Sequence, residues 1–317
     1  MVKYISSELE FLARVRKRAA LPAARDVVLG IGDDCAIFRP GGGAEDLLLT
    51  TDLLIEDIHF QRRTHSAADV GWKALARGLS DIAAMGGEPR FCLLSLALAP
   101  WAGARWVSDF YRGFLRLAAR ERVPLLGGDL ARAEKMTCDI VAGGTVPRGR
   151  ALRRDGARAG DAIYVSGALG GSALGMTQPT GQAWRRHRRP EPRLALGRFL
   201  REAVRATAAI DLSDGLSLDL HRLCLASRLS AEIVNPPIAS GATLEQALHG
   251  GEDYELLFTA SARARVPQRF HALQLTRIGA MRSGRPGSVL LNGRPLPAAG
   301  YDHLRMPVPF TRPRDPS

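Results

Sequence analysis

The chain of 317 residues has few cysteines and lacks a long apolar run. Its four cysteines are scattered and form no C-x-x-C pair: Cys35, Cys92, Cys138 and Cys224. This spacing favours reduced core thiols in a cytoplasmic protein over a disulfide framework. No segment approaches about 20 uninterrupted apolar residues, and Glu8 and Glu10 interrupt the N-terminal region. We therefore expect neither a signal peptide nor a membrane span.

Lysine is also scarce, so the formal net charge of +12 comes almost entirely from arginine. This excess has two interpretations: an arginine-rich solvated surface that reflects codon usage, or a field that attracts an anionic ligand. A nucleic-acid interface is a weaker alternative. The densest basic run, residues 185–189 (RRHRR), has only Trp184 as a neighbouring aromatic, and no zinc-finger or RNP pattern occurs. We expect no nucleic-acid partner.

Several motifs of common enzyme classes are missing. No G-x-x-x-x-G-K-[ST] occurs, which excludes a P-loop NTPase. The glycines after residue 166 do not fit G-x-G-x-x-G, so a dinucleotide-binding turn is a weak interpretation. The histidines show neither H-E-x-x-H nor Cys/His zinc spacing, and no G-x-S-x-G elbow is present.

The length predicts two domains, and their boundary is expected where Pro, Gly and Arg crowd together, near residues 147–160. We predict an α/β protein with an N-terminal domain at 1–148 and a C-terminal α/β domain at 149–317. The hydrophobic spacing predicts helices at 7–20, 67–85 and 103–120, and strands at 46–60, 91–99, 123–127 and 137–146. In the second half it predicts strands at 162–166 and 254–258, a helix after Gly215, an exposed loop at 176–193 and a hairpin at 289–294.

Short acidic motifs recur beside glycine or small hydroxyl residues. They are GIGDD (30–34), TTD (50–52), LSD (79–81), GGD (127–129), DLSDG (211–215) and GGEDY (250–254). Carboxylates in such settings are rigid oxygen ligands for hard cations, and the glycines let a phosphate approach the backbone. Carboxylates about 4 Å apart repel one another by about 4 kcal/mol at an effective dielectric of 20. If the fold brings these motifs together, they therefore require cations, and the pattern predicts Mg²⁺ holding a polyphosphate.

The ordered set of motifs resembles the thiamine-monophosphate kinase family. The stretches GIGDDCAIF, TTDLLIEDIHF, LSDIAAMGG, LLGGDLAR, AIDLSDGL and GGEDYELLF match that family's pattern in order and with comparable spacing, from about residue 25 to 303. The resemblance implies a two-domain fold like that of aminoimidazole ribonucleotide synthetase, whose N-terminal mixed sheet forms a homodimer. It also implies direct transfer of the ATP γ-phosphoryl group to thiamine monophosphate, assisted by several Mg²⁺ ions.

The resemblance also implies roles for individual residues. The metal ligands would be Asp34, Thr50, Thr51, Asp52, Asp81, Asp129, Asp211 and Asp214. We choose Asp34 over Asp33 because neighbouring side chains in an extended segment point to opposite sides. ATP would contact Tyr111, Gly128, Asp129, Arg154 and Ser213, and thiamine monophosphate would contact His59 and Glu252. No general base is implied, since the attacking phosphate oxygen is already anionic.

One position departs from the family pattern. The family commonly has a tryptophan shortly before a Gly-Tyr-Asp near its C-terminus, but here Ala298 and Ala299 precede residues 300–302 (GYD). We therefore expect Tyr301 to supply the aromatic contact to thiamine. Two enzymatic alternatives stay open: another ATP-dependent synthetase of the same superfamily, or a metal-dependent phosphohydrolase.

Overall fold

The computed structural model describes residues 8–18 and 26–303, which form two mixed β-sheets with helices on their faces. The N-terminal sheet has the strand order β1-β2-β3-β7-β4-β5, and β6 pairs with β4. Its strands are β1 (Val27–Leu29), β2 (Ala36–Phe38), β3 (Glu45–Ile55), β4 (Glu88–Leu98), β5 (Leu125–Gly127), β6 (Leu130–Arg132) and β7 (Thr137–Pro147). The antiparallel pair β3 and β7 runs in register from Glu45 opposite Pro147 to Ile55 opposite Thr137.

Two long helices cover one face of this sheet: α2 (Ala67–Ala84) and α3 (Ala104–Glu121). Ser66 caps α2, because its hydroxyl oxygen accepts a hydrogen bond from the Asp69 amide at 3.2 Å. Apolar side chains of both helices pack on β4 and β7 and form the main N-terminal core. A shorter helix, α1 (Glu8–Arg18), precedes the sheet.

The C-terminal sheet has the order β15-β14-β10-β13-β8-β11-β9, and β12 pairs with β13. Its strands are β8 (Ala162–Ser166), β9 (Ala208–Asp211), β10 (Ser230–Ile233), β11 (Leu256–Ala260), β12 (Arg269–Phe270), β13 (Leu273–Arg282), β14 (Val289–Leu291) and β15 (Arg294–Pro295). The helices are α4 (Gly171–Thr177), α5 (Gly181–Arg188), α6 (Leu194–Phe199), α7 (Leu216–Ser227) and α8 (Leu244–His249). A 3₁₀ turn (Arg154–Gly156) and a π-helical turn (Leu200–Val204) complete this half.

Helix α2 lies between the two halves. Its last residues share a core cluster with Leu196 and Leu200 of the C-terminal half. At its other end, the buried Asp69 accepts hydrogen bonds from both Arg188 and Arg189. Two arginines of the basic run at 185–189 therefore bind a buried carboxylate, so the run is not simply a solvated surface. The domain division at residues 148 and 149 remains a prediction; the last strand of one sheet ends at Pro147 and the first strand of the other begins at Ala162.

Several predicted elements differ from the structure. The expected loop at 176–193 contains helix α5, whose arginines bind buried carboxylates in the folded chain. The strand predicted at 46–60 ends at Ile55, because the chain turns at Asp57, whose φ is 66°. The strand predicted from residue 254 begins at Leu256, since Tyr254 has a φ of 50°. The ends of the helix predicted at 7–20 lie outside the described residues.

The other predicted helices and strands are present within a few residues. The elements that were not predicted also include strands β1, β2, β6, β9, β10, β12 and β13 and helices α6 and α8. The Asn292-Gly293 hairpin has positive φ at both turn residues, as a type I′ turn requires. The fold is the mixed α/β architecture that the sequence predicts. Within the described ranges, no helix is long and apolar enough to cross a bilayer.

Helices α2 and α3 approach each other through two glycines. A Cβ added at Gly113 would lie 1.9 Å from the carbonyl oxygen of Ala68, and one at Gly71 would lie 2.1 Å from that of Phe110. A side chain at either position would force the helices apart. Because α2 carries three residues of the site described below, this close crossing also fixes part of the site.

We expect Gly113→Ala to destabilise the protein, since the added methyl group forces a backbone shift that costs about 1–3 kcal/mol. Gly103→Ala is the matched control at the start of the same helix, where an added Cβ has no neighbour within 4 Å. Thermal unfolding of both variants tests this expectation. Equal melting temperatures would contradict it.

Candidate active site

Three carboxylates from distant segments converge between the two halves. Asp34 comes from the turn between β1 and β2, Asp81 from α2, and Asp211 from the end of β9. One oxygen of each lies within 4.8 Å of the others, which is a spacing that a shared cation could bridge. Among the described residues, this is the group of His, Cys, Asp and Glu side chains with the geometry of a metal site.

Neighbouring side chains hold each carboxylate in place. The Thr50 hydroxyl donates to Asp81, the Ser80 hydroxyl donates to Asp211 at 2.6 Å, and the Arg154 guanidinium donates to Asp34 at 2.6 Å. Ser80 was not singled out from the sequence, although it directly precedes Asp81.

Asp33 has a different role from Asp34. Its carboxylate accepts hydrogen bonds from the backbone amides of Asp34 and Arg154, each at 3.0 Å, so it fixes the turn. Asp34 is the member of the pair that reaches Asp81 and Asp211. We chose Asp34 on the assumption that residues 33 and 34 lie in an extended segment, but the chain bends at these residues.

The site is electrostatically strained in the absence of a cation. Burial raises the pKa of Asp81 well above its ordinary value, and the negative charges of Asp52, Asp211 and Asp34 raise it further. Burial, followed by Asp34, also raises the pKa of Asp211. Asp81 and Asp211 therefore retain protons or need added positive charge.

The motif TTD is divided between the two faces of β3, because successive side chains of a strand alternate. Thr50 and Asp52 point toward α2, where they contact Asp81 and Arg77. Thr51 lies on the opposite face, where its hydroxyl donates to Asp139 at 2.6 Å. The structure therefore does not bring Thr51 to the three-carboxylate cluster within one chain.

A cleft of about 400 Å³ extends from the carboxylates. The cleft is lined by Asp52, Asp81, Asp211, Ser213 and Asp214, and also by His59, Glu252, Tyr301 and His303. The fold thus joins both predicted groups, the acidic motifs and the residues expected at the thiamine moiety, in one cavity. His303 was missed from the sequence; its ring lies 5.2 Å from that of His59 and 4.7 Å from that of Tyr301.

Glu252 is anchored by a fully buried lysine. The Lys73 ammonium lies 2.9 Å from one Glu252 oxygen and donates to the backbone carbonyl of His59 at 2.9 Å. Burial opposes the charge on Glu252, but Lys73 and neighbouring cationic or histidine groups outweigh it and lower the pKa to about 2. Glu252 is therefore a fixed anion in the cleft. Lys73 was not recognised from the sequence, although it is one of only four lysines.

The other predicted cleft residues are held through local contacts. The His59 ring nitrogen Nδ1 accepts from the Ile55 amide at 3.0 Å, and burial lowers the pKa of His59 to about 2. Tyr301 donates its backbone amide to the carbonyl of Asp214 at 3.0 Å. The Asp214 carboxylate itself accepts from Arg222.

Three residues that were predicted to contact ATP lie outside the cleft. Tyr111 is half-buried on α3 beside Phe110. Gly128 and Asp129 are exposed after β5, where the Asp129 carbonyl accepts from Leu96 of β4. Asp129 is thus three strands from Asp52, or about 14 Å at about 4.8 Å per strand. Glycine is required at position 128, because a Cβ would lie 1.8 Å from the carbonyl oxygen of Leu94.

Comparisons with known proteins agree with this geometry. The family model "AIR synthase related protein, N-terminal domain" matches residues 32–146. A thiamine-monophosphate kinase of Bacillus subtilis is 34% identical over 328 residues, covering 94% of this chain and 99% of the relative. One from Rhodopirellula baltica is 38% identical over 294 residues, covering 86% and 88%. The chain belongs to the thiamine-monophosphate kinase family.

Solved structures of the family share the fold. The structure described as AaThiL complexed with AMPPCP and TMP superposes with a TM-score of 0.81 at 30% identity, covering 94% of this chain and 97% of that one. The thiamine-monophosphate kinase of Stenotrophomonas maltophilia has a TM-score of 0.71 at 37% identity, covering 91% and 98%. This agreement confirms the family resemblance and the two-domain fold predicted from the sequence.

The buried His187 makes the stability of this family member depend on pH. Burial, followed by Lys73, lowers its pKa to about 3, whereas an unfolded histidine titrates near 6.5. Between these values the unfolded chain binds more protons, so this contribution is complete above pH 6.5 and is lost as the pH falls toward 3. The slope is up to about 1.4 kcal/mol per pH unit.

We expect His187→Gln to reduce the pH dependence of the unfolding free energy between pH 4.5 and 6.5. Denaturant unfolding at several pH values measures this slope. His271→Gln, at an exposed position, is the control and should retain the wild-type slope. If His187→Gln also retains it, His187 is not the titrating group.

Proposed function

We propose that this protein transfers the γ-phosphoryl group of ATP directly to the phosphate of thiamine monophosphate, forming thiamine diphosphate and ADP. The main support is a single cleft that joins a three-carboxylate cluster to the fixed anion Glu252 and the rings of His59 and Tyr301. A family member of the same fold is described in complex with AMPPCP and TMP. The cleft thus offers a region for each substrate.

The chemistry fits a site without a strong general base. The attacking atom is an anionic phosphate oxygen, so no proton has to be removed. Two of the bases that line the cleft, His59 and Glu252, have a pKa of about 2 and are weak proton acceptors at neutral pH. The site has to neutralise charge and align the two phosphates in line.

The acidic residues fit several Mg²⁺ ions, because they offer only oxygen donors and their crowded buried carboxylates lack sufficient positive charge. Bound Mg²⁺ would neutralise phosphate oxygens and support in-line transfer. We propose as ligands the set Asp34, Thr50, Thr51, Asp52, Asp81, Asp129, Asp211 and Asp214. Of these, Asp34, Asp81 and Asp211 form the cluster, and Thr51 and Asp129 lie apart from it.

For the nucleotide we propose contacts from Tyr111, Gly128, Asp129, Arg154 and Ser213. Arg154 is charged and 18% exposed at its side chain, and it already pairs with Asp34 beside the cluster. Its planar fork suits a phosphate. For thiamine we propose His59, Glu252 and Tyr301, since a fixed carboxylate and an aromatic ring both attract a cationic heterocycle.

We further propose a homodimer formed through the N-terminal sheet. Helices α2 and α3 cover one face of this sheet, while Leu53 on the opposite face of β3 is 52% exposed. Leu126 and Leu130 lie on β5 and β6, which both pair with β4 and are separated from β3 by β7 and β4; they are 64% and 65% exposed. An apolar surface of this kind is typical of an interface. Thr51 and Asp129, the predicted ligands that lie apart from the cluster, belong to this same region.

Product analysis tests the function against its alternatives. The purified protein is incubated with ATP, Mg²⁺ and thiamine monophosphate, and the products are separated. A kinase forms ADP and thiamine diphosphate together, and only when the acceptor is present. A phosphohydrolase would release phosphate from thiamine monophosphate without ATP. A different synthetase of the superfamily would leave thiamine monophosphate unchanged.

We expect Asp52→Asn to lower kcat by on the order of 10²-fold or more, because it removes a carboxylate that would help to hold a cation at the transferring phosphoryl group. Steady-state kinetics measures the loss. Asp109→Asn is the control, since Asp109 pairs with Arg112 on α3 and does not line the cleft. Turnover close to that of wild type in Asp52→Asn would remove Asp52 from the proposed ligand set.

We expect millimolar Mg²⁺ to raise the melting temperature relative to EDTA, and ATP to raise it further. Cations relieve the repulsion among Asp34, Asp81 and Asp211, and ligands that bind only the native state stabilise it by mass action. Calorimetry in the two buffers measures the shift. Identical melting curves would contradict the proposed metal site.

A further inference from the structure

Arg77 is the one arginine or lysine that lines the cleft, as far as the described residues extend. Its side chain is 12% exposed. Six carboxylates line the same cavity: Glu8, Asp52, Asp81, Asp211, Asp214 and Glu252. A single fixed cation among so many anions is well placed to receive a negatively charged ligand.

The guanidinium of Arg77 is only partly satisfied. Its Nη2 donates to Asp52 at 3.1 Å, whereas Nε and Nη1 are buried and have no hydrogen-bond partner. An arginine carries five N–H donors in a planar fork, and leaving buried donors unpaired costs free energy. The neighbouring Lys73 differs, since its ammonium contacts both Glu252 and the His59 carbonyl. The unpaired donors of Arg77 point to a partner that the chain itself does not supply.

The position of Arg77 on α2 identifies that partner. Lys73, Arg77 and Asp81 are four residues apart, so they follow one another along one side of the helix at intervals of about 6 Å. Lys73 holds Glu252 at the thiamine region, and Asp81 belongs to the carboxylate cluster. In thiamine monophosphate a two-carbon chain joins the phosphate to the cationic thiazolium ring, so the phosphate lies a short distance beyond that ring. A substrate with its ring at Glu252 and its phosphate directed at the cluster therefore brings that phosphate beside Arg77.

We propose that Arg77 binds the phosphate of the acceptor and sets the enzyme's preference for a phosphorylated thiamine over the free alcohol. This inference rests on the proposed function. The phosphate oxygens accept from the guanidinium fork, and the side chain has to shift toward the cleft for this contact, because Nε and Nη1 are enclosed by protein in the free chain. Asp52 is a proposed ligand of a metal ion. When its carboxylate binds that ion instead of Arg77, the Arg77 guanidinium becomes available to the phosphate.

The test uses Arg77→Met, which removes the charge and keeps the length of the side chain, and Arg77→Lys, which keeps the charge and removes the fork. We expect Arg77→Met to raise the KM for thiamine monophosphate by roughly 10- to 100-fold, as for a lost charge-assisted hydrogen bond, with little change in the KM for ATP. Arg77→Lys should recover part of the loss. Arg39→Met, which breaks a similar ion pair with the buried Asp46 outside the cleft, is the matched control.

A binding measurement gives a second readout that needs no turnover. Calorimetric titration in Mg²⁺ without ATP compares thiamine monophosphate with thiamine for each variant. We expect wild type to prefer the monophosphate and Arg77→Met to lose most of that preference, while the affinity for thiamine stays the same. If Arg77→Met does not fold, Arg77→Lys carries the test, with a smaller loss of the same preference.

Two results would overturn the proposal. One is an unchanged preference for the monophosphate in the variants. The other is an equal change in KM for both substrates together with a shifted Mg²⁺ dependence, which would mean that Arg77 only balances the charge of Asp52. Failure of the proposed function looks different: wild type itself would form no thiamine diphosphate, while the titrations would still report on Arg77.

Discussion

The mutual repulsion of buried carboxylates is the constraint on which the site depends. Asp34, Asp81 and Asp211 would separate if their backbones could move, yet each belongs to a different packed element of the fold. Helix α2 fixes the middle member, because it is clamped between the two halves by Arg188 and Arg189 at Asp69 and by apolar packing at Ala84. Folding therefore places these charges together at an energetic cost, and the proposed binding of cations and phosphates would offset that cost.

Helix α2 also shows how one element can align two substrates. Lys73 is buried and fixes Glu252, Arg77 keeps donors unpaired, and Asp81 joins the acidic cluster. A helix is a stiff spacer, so the distances between these three functions do not depend on loop conformation. The glycines at the crossing of α2 and α3 let the two helices approach so closely that an added Cβ would meet the backbone of the other helix, which fixes the position of α2. Packing in the N-terminal core and the geometry of phosphate recognition are thus linked.

The sequence predicted most of the fold and part of the site. Long, strongly periodic segments such as α2, α3, β3 and β7 were recognised, because their apolar spacing is set by the core. Helix α5 was missed, since its arginines are stabilised by Asp69 and Glu255, which are distant in sequence. The TTD motif suggested three neighbouring ligands, but strand alternation sends Thr51 to the other face. Lys73 and Arg77 lie outside the quoted motifs, and Ser80 lies in LSD without an assigned role; only their position on α2 beside Asp81 reveals what they contact.

The charge distribution resolves an apparent conflict between the surface and the site. The chain carries a formal net charge of +12, which draws phosphate-bearing molecules toward the protein. The cleft that would receive them is lined by six carboxylates and one arginine, so without cations it repels the same molecules. The net positive charge can therefore bring phosphates into the cleft only if the carboxylates are neutralised before the phosphates enter or as they enter. Arg77 then becomes the fixed positive charge nearest the acceptor, while Arg154 holds the corresponding position beside Asp34. Arg77 contacts Asp52 and Arg154 contacts Asp34, so under the proposed function each phosphate would have its own arginine, which would orient donor and acceptor relative to each other rather than merely attracting both.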